Sequence, residues 1–115
     1  MSRSLNEMKL IGNVGRDPEV KYTAGGKAIC ELSVATSRKD GEGKEHTEWH
    51  TVVLWGGHAE AAGRFARKGR QIYACGELRT DKWTDRQGIE RWTTKIHAVD
   101  FFMLGAGSRS EEPPF

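Results

Sequence analysis

Residues 46–69 read His46-Thr-Glu-Trp-His-Thr-Val-Val-Leu-Trp-Gly-Gly-His-Ala-Glu-Ala-Ala-Gly-Arg-Phe-Ala-Arg-Lys-Gly69, and the period of the pattern changes halfway along. From His46 to Gly56 side chains alternate as in a strand: His50, Val52 and Leu54 on one face, Trp49, Thr51, Val53 and Trp55 on the other. Both faces carry large residues, so neither is a plain solvated face. From Ala59 to Lys68 the pattern becomes helical, with Glu60 near the start, Arg64, Arg67 and Lys68 near the end and Gly69 placed to stop it. Ala62, Phe65 and Ala66 are expected to face the core. Gly63 inside this helix costs about 1 kcal/mol relative to alanine, so the helix depends on tertiary packing.

Outward from this pivot the chain reads as strands and turns. Upstream, Leu5 to Gly15 puts Met8, Leu10, Gly12 and Val14 on one face, and Glu19 to Tyr22 continues the same strand past a bulge near Pro18. Lys27 to Thr36 alternates cleanly, with Ala28, Cys30, Leu32 and Val34 inward. Downstream, Gln71 to Arg79 places Ile72, Ala74 and Leu78 inward, and Trp92 to Leu104 closes the domain across a charged hairpin from Thr80 to Arg91. Fourteen glycines mark turns between short strands. The class is mainly β, and three strands, one helix and two strands is the order of the five-stranded Greek-key barrel called the OB-fold, with its short helix between strands 3 and 4. A small open β-sandwich is the competing architecture. Residues 1–105 are expected to form the barrel and residues 106–115, which lack periodicity, a flexible acidic tail.

At 115 residues there is room for one core and no second domain. Cys30 and Cys75 lie in apolar runs without metal-ligand spacing, which fits a reducing cytosol and no disulfide scaffold. No stretch approaches the roughly 20 apolar residues of a membrane span, and the N-terminus lacks a signal-peptide core. The formal net charge is only +2, but Arg64 to Lys95 holds nine basic residues against four acidic, a local surplus of five. A basic flank beside an acidic end suits a polyanion for the body and a different partner for the tail.

Four tryptophans in so short a chain bear on chemistry through their positions. Trp49 and Trp55 share a strand face, while Trp83 and Trp92 flank a hairpin that also carries Arg79, Lys82, Arg86 and Arg91. Aromatic faces interleaved with cations are what a sequence-tolerant single-strand site needs, since every base has a π-face and every nucleotide a phosphate. Enzymatic and metal roles are not expected. His46 and His50 would stand roughly 13 Å apart along a strand, too far to share one zinc ion. Thr23-Ala-Gly-Gly-Lys27 lacks the spacing and following helix of a phosphate loop and reads as a turn. No cofactor is expected.

Asn13-Val-Gly-Arg-Asp-Pro-Glu-Val20, Thr47-Glu-Trp-His-Thr-Val-Val-Leu-Trp-Gly56, Arg67-Lys-Gly69 and Leu78-Arg-Thr-Asp-Lys-Trp-Thr-Asp85 together resemble the bacterial single-stranded DNA-binding proteins, from about Ser2 to Leu104. The resemblance implies the same barrel assembled as a homotetramer, and sequence-independent binding and protection of single-stranded DNA in replication, recombination and repair, in the cytoplasm with the nucleoid. It places Trp49, Trp55 and Trp83 at base-stacking positions, Trp55 replacing the more usual phenylalanine. Arg3, Lys21, Arg67, Lys68, Arg79, Lys82 and Arg91 match positions along the DNA path, and Trp92 joins this set by its place beside the hairpin. His50 and Gln71 match positions near subunit contacts. Glu111, Glu112, Pro113, Pro114 and Phe115 resemble a partner-docking tip that addresses replication and repair proteins, the ring filling an apolar pocket and the carboxylates meeting basic side chains.

Departures from the family pattern are specific. The loop Arg38 to Lys44 is short and lacks the tryptophan often found there, and Glu7, Gly57 and Asp81 stand where many members carry Lys or Arg. Fewer cations imply a smaller salt dependence. An OB-fold adaptor acting mainly through protein contacts is the alternative, and it would bind DNA weakly.

Overall fold

The computed structural model describes residues 2–105. Its strands are β1 (Met8–Val14), β2 (Val20–Tyr22), β3 (Ala28–Lys39), β4 (Glu45–Trp55), β5 (Gln71–Thr84) and β6 (Glu90–Leu104), and its helix α1 is Gly57–Phe65. The sheet order is β1-β5-β6-β4-β3-β2, and β1 also pairs with β3, which closes the sheet into a barrel. β1 lies antiparallel to β5 from Met8 to Asn13, then crosses to β3, where Asn13 and Val14 oppose Ala35 and Val34. β2 continues along that same edge of β3, with Val20 opposite Cys30. The six steps from Val14 to Val20 face only four on β3, from Val34 to Cys30, so Gly15–Glu19 forms the irregular bend expected near Pro18. Counted as one interrupted strand, β1 and β2 give the five-stranded OB barrel, completed by a short parallel contact of Val52 and Val53 with Ile96 and His97.

The interior is apolar because alternation turns Leu10, Val14, Cys30, Leu32, Val34, Val52, Leu54, Ile72, Ala74 and Ile96 inward. No polar or charged residue is fully buried among the described residues. Helix α1 closes one end of the barrel through Ala59 and Ala62, followed by Ala66 just beyond its last turn; all three are buried. Small side chains allow this close approach, and a Cβ at Gly63 would strike Val20 of β2.

Several expectations shift by a few residues, each for a local reason. The helix starts two residues before Ala59 and ends at Phe65, because Ala66 is already extended and Arg67 turns back to donate hydrogen bonds to the carbonyls of Gly63 and Ala66. Phe65 does not face the core; it is 56% exposed, on the solvent side of the last turn. Leu78 lies opposite the buried Ile96, as alternation requires, but it is 42% exposed because the β5–β6 ribbon leaves the barrel there. The strands of that ribbon are longer than expected and leave only Asp85–Ile89 as turn. A bulge between Cys75 and Gly76 accommodates Val99 as an extra residue of β6 and resets the facing at the root of the ribbon. Thr23–Lys27 forms a hairpin turn, with Gly26 at φ 87°.

Candidate nucleic-acid interface

Strand register assembles the outward face. On β4, Trp49, Thr51, Val53 and Trp55 stand opposite Ala35, Ser33, Glu31 and Ile29 of β3, and Ile29 is in turn opposite Lys21 of β2. Across the parallel contact Val53 faces His97, and His97 faces Glu77. From there the same face runs out along the ribbon through Arg79, Asp81 and Trp83, paired with Lys95, Thr93 and Arg91. Three of the four indoles therefore share one continuous surface of the sheet. Trp92 does not: it lies opposite Lys82 on the reverse face of the ribbon.

Each indole on this face is held yet open to solvent. Trp49 is 62% exposed and its ring rests over the backbone of Gly15, where any Cβ would collide with it. Trp55 is 37% exposed, with the Lys27 ammonium 5.5 Å from its ring centroid in a cation–π contact. Trp83 is 48% exposed, and its Nε1 donates to Thr93 Oγ1 at 2.8 Å, which fixes the plane of the ring. Three large rings left this open on one face of the sheet point to a ligand.

Cations divide into two groups. Arg79 is bound to Glu77 at 2.8 Å, Lys82 to Glu90 at 3.1 Å and Arg91 to Asp85 at 2.9 Å. Amides of the turn, that of Ile89 first, and then Arg91 hold the Asp85 carboxyl below its ordinary pKa, so it remains an anion at neutral pH. Arg3, Lys21 and Lys68 are exposed and form no ion pair with the described residues, while the Arg67 guanidinium is committed to the end of the helix. The amide of Lys68 donates to Asp17 Oδ1 at 2.9 Å, and Gly69 donates to the Val14 carbonyl. These bonds hold Lys68 beside the Gly15–Asp17 bend under Trp49. An open groove of about 650 Å³ between that bend and β3 is mixed in charge, lined by Arg16 and Lys21 but also by Asp17, Glu19 and Glu31, with Pro18 and Ile29.

Some contributors escaped the sequence. Lys27 appeared only as a turn residue, although its position just before an alternating strand is a usable signal. Arg16 and His97 become visible only once the bend and the register are known. The residues expected near subunit contacts lie apart: His50 is half-buried with Nε2 2.9 Å from Thr36 Oγ1, whereas Gln71 is exposed between Asn13 and Leu104. Beside Gln71 runs a row of Ile11, Tyr73 and Phe102, whose two rings stack at 4.6 Å, with Ile11 and Phe102 exposed. Glu111, Glu112, Pro113, Pro114 and Phe115 lie outside the described residues. No group of three or more potential metal ligands occurs among the described residues.

The chain is 50% identical over 109 residues to a protein of Xanthomonas campestris pv. campestris named single-stranded DNA-binding protein, an alignment covering 91% of this chain and 63% of that protein. A protein of the same name from Xanthomonas axonopodis pv. citri is 47% identical over 91% of this chain and 61% of its own length. The chain thus spans about three-fifths of the length of these relatives. Among solved structures, a chain described as Plasmodium falciparum SSB in complex with ssDNA superposes with a TM-score of 0.83 at 31% identity, covering 91% of this chain and 99% of that one. Residues 5–104 match the family described as the single-strand binding protein family, and with that match over nearly the whole barrel the chain belongs to this family.

Proposed function

We propose that residues 1–105 act as a non-enzymatic, sequence-independent binding domain for single-stranded DNA, serving its protection in replication, recombination and repair. The observation that carries this reading is the single outward sheet face on which register sets Trp49, Trp55 and Trp83. Bases stack on the three rings, and the phosphates between them meet Lys21, Lys68 and Arg3 directly. Arg79, Lys82 and Arg91 exchange their carboxylates for phosphates as the strand reaches the ribbon, and Arg67 lies along the same path. Trp92 serves a strand that turns round the ribbon edge. Stacking accepts every base, which accounts for the absence of sequence preference.

The chain acts as a homotetramer in this reading, with the row of Ile11, Tyr73 and Phe102, and Gln71 beside it, against a second copy and His50 near another contact. Residues 106–115 are the segment that addresses replication and repair proteins, through Glu111, Glu112, Pro113, Pro114 and Phe115. The domain works in the cytoplasm, on DNA of the nucleoid.

Competition between an oligothymidylate and a duplex at equal salt tests the reading. Duplex bases are not free to stack, so the single strand is expected to bind far more tightly and to quench tryptophan emission. Equal affinity for the two, or unchanged emission at saturation, overturns it.

A further inference from the structure

His97 occupies the centre of the outward face, opposite Val53 of β4 and Glu77 of β5, between the Trp55 and Trp83 ends of that face. Both ring nitrogens are shielded from solvent, and neither has a hydrogen-bond partner among the described residues. A shielded imidazole without partners carries a desolvation cost that a ligand bringing acceptors would relieve. Such a ligand is what the proposed function lays across this face.

Every charged group around the ring belongs to that face. On β5 these are Glu77, Arg79 and Asp81; on its own strand it is Lys95, which is bound to Glu31 of β3 at 2.7 Å. From β4 the facing residue is Val53, between Thr51 and Trp55, none of them titratable in this range. Burial, and then the charges of Arg79 and Lys95, hold the ring below the ordinary histidine value of 6.5 against the opposite pull of Asp81 and Glu77. In the free protein the ring is therefore neutral at pH 7.

The geometry points to His97 as a phosphate contact that takes up one proton from solvent when single-stranded DNA binds, an inference that rests on the DNA-binding reading above. Phosphates crossing between Trp55 and Trp83 draw Arg79 from Glu77 and Lys95 from Glu31. Anionic oxygens then stand beside the ring in place of these cationic neighbours. Protonated, the imidazole becomes a donor at both nitrogens, and phosphate oxygens accept. The complex then holds a proton that the free protein lacks, in the window between the lowered histidine value of the free protein and the raised value of the complex. Affinity must rise as pH falls through the upper value and level off below the lower one.

Calorimetric titration of the full chain with oligothymidylate, near pH 7 in two buffers of different ionisation heat, counts the protons taken up. The wild type is expected to take up a substantial fraction of a proton per chain, and to bind about three- to tenfold more tightly at pH 6 than at pH 8. His97→Val and His97→Gln should lose both the uptake and the pH dependence. His46→Gln should retain them. Proton resonances of His97 followed against pH, with and without the oligonucleotide, should titrate higher in the complex. Wild-type uptake persisting in both His97 variants, or an unmoved His97 titration, overturns the inference while DNA binding stands. A chain that binds no oligothymidylate at any pH overturns the DNA-binding reading together with this one.

Discussion

The β3–β4 wall and the β5–β6 ribbon are built to one plan. Both are antiparallel hairpins that run beyond the barrel, and both close on a five-residue turn in which an aspartate caps two amides: Asp40 for Glu42 and Lys44, Asp85 for Gln87 and Ile89. Both present tryptophan on the outward face. Their electrostatics differ. On the wall, Trp49 has Ala35 opposite and Gly15 beneath, and Trp55 shares a row with Lys21 and carries Lys27 over its ring. On the ribbon Arg79, Lys82 and Arg91 are each bound to a carboxylate. Aromatic surface and available positive charge are thus partly separable in this fold: Arg79, Lys82 and Arg91 must leave carboxylates to meet a phosphate, whereas Lys21 and Lys27 beside the wall, and Arg86 in the ribbon turn, form no ion pair with the described residues.

The sharpest way to separate the regions is through the glycines at their roots. A Cβ at Gly76 would collide with the backbone of His97 and Ala98, so Gly76→Ala should cost about 1–3 kcal/mol of stability, read as a lowered denaturation midpoint. A Cβ at Gly15 collides with the far end of the Trp49 ring, which can swing away, and makes only an ordinary contact with the Ser33 carbonyl. Gly15→Ala should keep the stability of the wild type and lose DNA affinity, because the platform moves. Loss of stability in Gly15→Ala without loss of affinity would erase the distinction.

Alanine at Trp49 or Trp55 should cost about 1–3 kcal/mol of binding, a range drawn from single-strand binders of this fold that include this family. Trp83→Ala should fall at its lower end, since stacking there is coupled to breaking ion pairs, and Trp92→Ala below it. Equilibrium titrations at one salt concentration give the order, and a larger loss at Trp92 than at Trp49 would reverse the assignment of faces.

Charge changes should have the smallest effects and opposite signs. Removing the competing anion in Glu77→Gln or Glu90→Gln is expected to tighten binding about two- to fivefold, as exposed ion pairs are weak. Lys21→Ala should weaken binding and lower the salt slope by about 0.7, the loss of one single-strand phosphate contact. An equal fall in slope for Arg79→Ala would show that the ribbon cations are as available as those on the wall.

Much of this was legible from pattern alone. The alternation from Ala28 to Val34, the helix after Trp55 and the shared face of Trp49 and Trp55 follow from periods of two and 3.6 residues. The bend after Gly15 was legible because Pro18 cannot sit inside a paired strand. What escaped depends on register or on tertiary cover. Phe65 fits the apolar stripe of a helix, yet Arg67 capping ends that helix at Phe65 and leaves the ring outside. The pairing of Lys82 with Glu90 requires knowing that Lys82 lies opposite Trp92, which no local pattern states. His97 read as one of four scattered histidines until pairing placed it between Val53 and Glu77.

The central claim is that one outward sheet face, and not tryptophan content in general, takes up the bases. Four variants that each keep a single tryptophan, the other three changed to phenylalanine, test it directly by emission during titration with oligothymidylate. The chains retaining Trp49, Trp55 or Trp83 should be strongly quenched, and the chain retaining Trp92 much less. Quenching confined to Trp92, or equal at all four positions, would contradict the account.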